Sequence, residues 1–207
     1  MKIDPAQLSG SEAYRLMISA VVPRPIAFIS SCDEDRNTNL APFSYFNCVT
    51  SKPPLISVSI GQRKWGGERI KKDTLRNIEA VEEFVVNIAT MPLIAKVNAS
   101  SAEYPPGVSE IEAVGLTAEP SERVSVPRIA ESPINLECRL HRVMMLGDAP
   151  QTGLIIGEVV YVHVDDSVWN AESGEVDPVR LSPLARLGGS LYGALGDITS
   201  IPRPKLP

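Results

Sequence analysis

Eighteen prolines run through these 207 residues. Proline removes a backbone donor and costs about 3 kcal/mol in a helix interior, so this density suits a loop-rich fold and not a helix bundle. The apolar segments agree. Ile26-Ala-Phe-Ile-Ser-Ser31 reads as a buried strand entered through Pro23 and Pro25, and Asp33–Asn37 as a polar turn. The apolar and aromatic segment Leu40–Val49 completes a hairpin pattern. Leu55–Ile60 alternates apolar and small polar residues, and Glu83–Ala89, Asn135–Met145 and Gly153–Asp165 add further β-branched runs. Gly157 marks a bulge or bend in the last of them. Short helices are expected from Asp73 to about Val81 and from Met91 to Ala99, and Ser101–Gly115 reads as an ordered loop with a turn of helix. Strands separated by turns, with helices only as covers, predict a mainly β protein: a closed or nearly closed antiparallel barrel in one domain over residues 1–207.

Composition narrows the function. Apolar content of 43% and charge of 22% are ordinary for a globular protein, and no run reaches the ~20 apolar residues that span a membrane. The N-terminus has no apolar signal region, which implies a cytoplasmic protein. Cys32, Cys48 and Cys138 form no C-x-x-C pair and read as buried apolar residues. With two histidines, metal chemistry has few ligands to draw on. An acidic pI near 5.2 argues against nucleic acid as a partner.

One window departs from this balance. Arg63–Asn77 holds six Lys or Arg against Glu68 and Asp73, a local +4 on a chain of net charge −5. Such a concentrated positive site suits a small, highly charged anion. The helix start behind it, with Asp73 as its expected N-cap, would offer free N–H groups to a phosphate. A solvated basic loop is the alternative reading.

The usual catalytic signatures are missing: no Rossmann glycine motif, no P-loop, no nucleophile elbow. His141 and His163 fall within expected strands without a Ser or Cys partner, and read as structural. Chemistry carried by a bound cofactor needs fewer protein groups. Asn39-Leu-Ala-Pro-Phe-Ser-Tyr-Phe-Asn47 suits that task. Pro42 interrupts strand pairing, Ala41 and Ser44 are small enough for a flat ring to approach the backbone, and the aromatics supply walls or simply core.

Several motifs in order carry a resemblance. They are Pro23-Arg-Pro-Ile26, Asn39-Leu-Ala-Pro-Phe-Ser-x-Phe46, Lys72-Asp-Thr-x-x-Asn77 and Glu83-Phe-Val-Val-Asn87. Pro106-Gly-Val108, Ala130-Glu-Ser-Pro133, Ile156-Gly-Glu-Val159 and Arg186-Leu-Gly-Gly189 follow. With them the chain resembles the flavin reductase-like proteins of the FMN-binding split-barrel superfamily, in the group that includes flavoredoxin. The resemblance implies an antiparallel split barrel that binds FMN, with FAD possible, at a homodimer interface. It places Asn39, Ala41, Pro42, Phe43 and Ser44 along the isoalloxazine, largely through backbone, and Ser59 to Gly61 beside the ribityl chain. It assigns Arg63, Lys72 and Thr74 to the phosphate, with Asp73 and Asn77 shaping the turn.

The implied chemistry is hydride transfer from a transiently held NADH or NADPH to flavin N5, with no catalytic side chain. Electrons then pass to free flavin, oxygen, or a monooxygenase or other redox partner protein. One departure bears on this. Many such reductases carry Gly-Asp-His where this chain reads Gly147-Asp148-Ala149. The difference favours the alternative, a flavoredoxin-like carrier whose FMN is reduced by a partner protein.

Overall fold

The computed structural model describes residues 1–105, 107–148 and 151–204; Pro106 and Ala149, onto which two of the sequence motifs extend, lie outside them. Nine strands carry the architecture. They are β1 (Ala27–Cys32), β2 (Thr38–Phe43), β3 (Phe46–Ser51), β4 (Pro54–Ile60), β5 (Gln62–Trp65) and β6 (Glu68–Lys71). β7 (Glu83–Ile88), β8 (Ile134–Leu146) and β9 (Thr152–Val164) follow. Seven of them form one antiparallel sheet in the order β2-β1-β7-β8-β9-β4-β3. Its two edge strands, β2 and β3, are neighbours in sequence, joined only by Ser44-Tyr45. The sheet therefore curls back toward itself, and the Ser59 N–H donates to Tyr45 O at 2.9 Å, which carries the β3–β4 ladder into the two-residue link. No ladder joins β2 to β3, so the barrel is split and not closed.

Alternation along the strands builds two cores. Ala27, Ile29, Ile56, Val58, Ile60, Phe84, Val86 and Ile155 point into the barrel, while Phe28 and Leu40 pack outward under the covering helices and loops. α2 (Asp73–Val81) plugs the barrel, with Leu75 and Ile78 fully buried in its core. β9 places glycine at two inward positions, one against this plug and one against Phe84 of β7. A Cβ at Gly153 would stand 2.9 Å from Leu75 Cδ1, and one at Gly157 only 2.4 Å from Phe84 Cζ. Gly157 is thus an aperture for a ring. The bulged residues are its neighbours, His141 on β8 and Val160 on β9, where the ladder register shifts.

Two other expectations change. The basic window is not a loop: Gln62–Trp65 and Glu68–Lys71 pair as a hairpin about Gly66-Gly67, both at positive φ, as a two-residue turn demands. Cys48 is exposed on β3, although Cys32 and Cys138 are buried as expected. Among the described residues no helix is long and apolar enough to cross a membrane.

His163 is structural. Its Nε2 lies 2.6 Å from Oε1 of Glu137, a fully buried carboxylate on β8 that also accepts backbone N–H groups from Glu122, Arg123 and Val124. Burial pushes the Glu137 carboxyl up, but these donors and His163 outweigh it and hold it below the ordinary glutamate range. A depressed folded value stabilises the fold above the unfolded glutamate pKa of about 4.3, and that contribution disappears as pH falls through the folded value. Glu137→Gln is therefore expected to cost about 2–3 kcal/mol at neutral pH, because charge-assisted bonds to several N–H groups are replaced by one neutral acceptor. Thermal melts of both proteins from pH 7 to pH 3 should show their difference shrinking in acid; a constant difference would refute the assignment.

Candidate functional site

α2 opens on the floor of a cavity of about 120 Å³, lined by Asn39, Ala41 and Pro42 of β2, Arg63 of β5, and Lys72, Asp73 and Thr74. Seven of the twelve residues expected at the site therefore meet in one place. The local structure explains how. Leu75 and Ile78 seat the helix in the barrel, which fixes the position of its first turn. Lys72, and not Asp73, occupies the N-cap, and no side chain caps the helix. The Asp73 carboxylate is engaged elsewhere, by Arg76 and by Arg63 Nη2 at 2.8 Å. The first-turn N–H groups are left at the cavity without a cap, as an anion site requires.

The cations of the basic window divide sharply. Lys64 and Arg69 are exposed on the hairpin, Lys71 pairs with Glu79 at 2.6 Å, and Arg76 pairs with Asp73. Arg63 and Lys72 line the cavity. The Arg63 side chain is 9% exposed, lies over the Trp65 ring at 5.1 Å, and donates from Nη1 to Tyr104 O at 3.3 Å. Among the described residues its Nε has no hydrogen-bond partner, and Nη2, though within ion-pair distance of Asp73, makes no hydrogen bond. Lys72 has no carboxylate within 4.0 Å among the described residues, and its ammonium stands 5.4 Å from the centre of the Phe43 ring. Burial pushes this ammonium down; Glu103 opposes the shift and Arg63 adds to it. Buried donors without acceptors are costly, and the Arg63 guanidinium brings such donors to the cavity wall.

Thr74 is buried, and its Oγ1 accepts from Asn39 Nδ2 at 2.9 Å, which leaves the hydroxyl proton free to donate. Asn77 is buried one turn further, donating to Ser31 Oγ at 3.2 Å, and lines a smaller adjoining cavity. Phe43 packs with the barrel core, its ring beneath the Lys72 ammonium. Ser59 and Gly61 are half-buried at the end of β4, with open space beside Gly61.

Ser44 lies apart from the polar cavity. It lines a second, apolar cavity of about 310 Å³ with Met17, Val21, Pro23, Tyr45 and Phe46. Its Oγ accepts from Nε of Arg24, a buried residue that also donates to Ile18 O, Val21 O and Leu187 O. Arg24 thereby ties α1 (Gly10–Ala20), the tail and the β2–β3 turn together. The smaller cavity is bordered by buried Arg63 donors without acceptors, whereas the larger is walled mainly by apolar side chains. Ala41 and Pro42 border the polar cavity, and Ser44, two residues on, borders the apolar one.

Sequence reasoning missed Ser100, Ser101, Ala102 and Glu103, which close the polar cavity after α3 (Ile94–Ala99), and Glu110, at the start of α4 (Glu110–Ala113). These residues carry no periodic or motif signal. Among the described residues no group of three or more His, Cys, Asp or Glu is placed to hold a metal.

Similarity to known proteins extends along nearly the whole chain. An uncharacterized protein of Halalkalibacterium halodurans is 43% identical over 100% of this chain and 98% of its own. The structure of nitrilotriacetate monooxygenase component B from Bacillus cereus superposes with a TM-score of 0.89 at 40% identity, covering 97% of this chain and 98% of that one. That of 2-nitrobenzoate 2-nitroreductase from Pseudomonas fluorescens does so at 0.87 and 30%, covering 99% and 96%. The model of the flavin reductase like domain matches residues 18–179, and the chain belongs to that family.

Proposed function

We propose that the protein is a cytoplasmic, homodimeric FMN-dependent oxidoreductase that oxidises NADH or NADPH and hands the electrons to a flavin or a redox partner. The observation that carries this is the uncapped start of α2, with Lys72, Thr74 and the unpartnered Arg63 Nε around one cavity. A phosphate monoester carries about −1.5 to −2 charges and three acceptor oxygens, which match these donors in number and sign. Arg63 and Lys72 would bind it, and Thr74 and the first-turn N–H groups would orient it. The apolar cavity bordered by Ser44 gives a planar ring somewhere to lie, next along the chain from the Ala41 and Pro42 that line the polar cavity. Bound there, FMN supplies hydride acceptance at N5; the protein contributes binding, orientation and exclusion of water. A second copy is supported by the edge strand β3, whose exposed run includes Val49, and by exposed Tyr45 beside it.

Component B of a monooxygenase and a nitroreductase, both at least 30% identical, support electron delivery to a second component or an organic acceptor. The carrier reading draws on Ala149, where the resemblance leads one to expect histidine. Anaerobic addition of NADH or NADPH to the FMN-loaded protein separates the two. Prompt bleaching of the flavin's visible band is the expected result. A flavin that stays oxidised until a protein reductase is added would overturn direct nicotinamide oxidation in favour of the carrier.

A further inference from the structure

Glu110 is the most buried of the three carboxylates that line the polar cavity. It is 8% exposed, its Oε2 accepts from the Leu40 N–H at 2.9 Å, and no cation lies within 4.0 Å of it among the described residues. The charged groups around it come from several elements. Arg63 lies on β5; Lys72, Asp73 and Arg76 on or beside the start of α2; Glu103 on the loop after α3; and Asp33 in the β1–β2 turn on the far side. Asp73 is already bound by Arg63 and Arg76, and Glu103 is exposed and screened by water. Two cations and three carboxylates therefore line the cavity, and Glu110 is the buried carboxylate that has no ion-pair partner.

A phosphate entering beside this group would put two like charges in one poorly solvated space, where both cannot stay ionised cheaply. We propose that Glu110 exchanges its charge for the ligand's: it is ionised while the cavity is empty and takes up one proton from solvent when a phosphate monoester enters. The neutral carboxyl then offers an O–H donor where a carboxylate offered only repulsion. Burial already pushes the Glu110 carboxyl up, with the Leu40 N–H opposing and the Asp73 charge adding. Flavin retention thus becomes sensitive to pH through a residue that never touches the ring. The inference rests on the reading of this cavity as the FMN phosphate site.

Calorimetric titration at pH 7.5 tests it, in two buffers of different ionisation enthalpy, with FMN and riboflavin each added to wild type and Glu110→Gln. At that pH the free FMN phosphate, with its second pKa near ~6, is almost wholly dianionic and contributes little proton exchange. Glutamine keeps an acceptor for the Leu40 N–H, so the variant should fold. Wild type should take up roughly 0.5 to 1 proton per FMN bound and none with riboflavin. Glu110→Gln should take up none and bind FMN about tenfold more tightly, with riboflavin affinity unchanged. FMN binding to wild type without proton uptake would overturn the exchange, as would equal FMN affinities in the two proteins. FMN bound no better than riboflavin by either protein would instead overturn the phosphate assignment, and the exchange with it.

Discussion

Replacing Lys72 and Thr74 together by alanine will weaken FMN binding by about 10²-fold and leave riboflavin binding unchanged. Hydrogen bonds to charged groups contribute about 1.5–3 kcal/mol each, and the variant removes an ammonium and a hydroxyl from the same anion. The lower end of that range applies, since Lys72 is only half-buried and Arg63 and the helix N–H groups remain. Riboflavin separates the phosphate from the ring. It lacks the anion, so it reports whether the rest of the site is intact. Thr74→Ala also removes the acceptor of the Asn39 amide, whose other contact is Ser31 Oγ at 3.5 Å, and should cost about 1 kcal/mol of stability. Thr74→Ser keeps that acceptor and is the control for it. Equal FMN affinities in wild type and the double variant, measured by quenching of flavin fluorescence, would refute the cradle.

The strands of this fold were legible because β-branched runs with inward alternation are local signals, and α2 because its apolar residues recur at helical spacing. The rest is decided by contacts and turn chemistry that composition and spacing do not carry. Asp73 has an N-cap's composition, yet Arg63 and Arg76 hold its carboxylate and Lys72 takes the cap position instead. The hairpin within the basic window lacks apolar alternation; its one sequence signal was Gly66-Gly67, the two-residue turn that charge counting passed over. Ser44 looked like its neighbours Ala41 and Pro42 in the same motif, but Arg24 draws its hydroxyl to the other cavity. Glu110 is the clearest case. Nothing near it in sequence distinguishes it from Glu112, and the Leu40 N–H, 70 residues earlier, brings it to the site together with the Thr38–Ser109 hydroxyl contact beside it.

Gly157→Ala is expected to lower stability by about 3 kcal/mol, toward the upper end for overpacking, and the melting temperature by roughly 6–12 °C for a chain of this size. Propensity alone predicts the opposite, since alanine is less costly than glycine in a strand. The added methyl decides the sign: its carbon would fall 2.4 Å from Phe84 Cζ, and also 3.0 Å from Cε1. A phenyl ring cannot bend away as the end of a leucine can. Phe84 is fully buried, packed among core residues with no free volume to receive it. The clash at Gly153, with Leu75 methyls at 2.9 Å, is milder for the same reason. Phe84→Leu supplies the test of mechanism. Alone it opens a void and destabilises; combined with Gly157→Ala it removes the clash, so the double variant should be more stable than the sum of the singles by at least about 1 kcal/mol. Additive losses in chemical denaturation would show that the glycine is needed for its backbone and not for the ring. The expected coupling would place the constraint where the geometry does, in the aperture that lets Phe84 fill the barrel beside the buried Leu75 and Ile78 of α2.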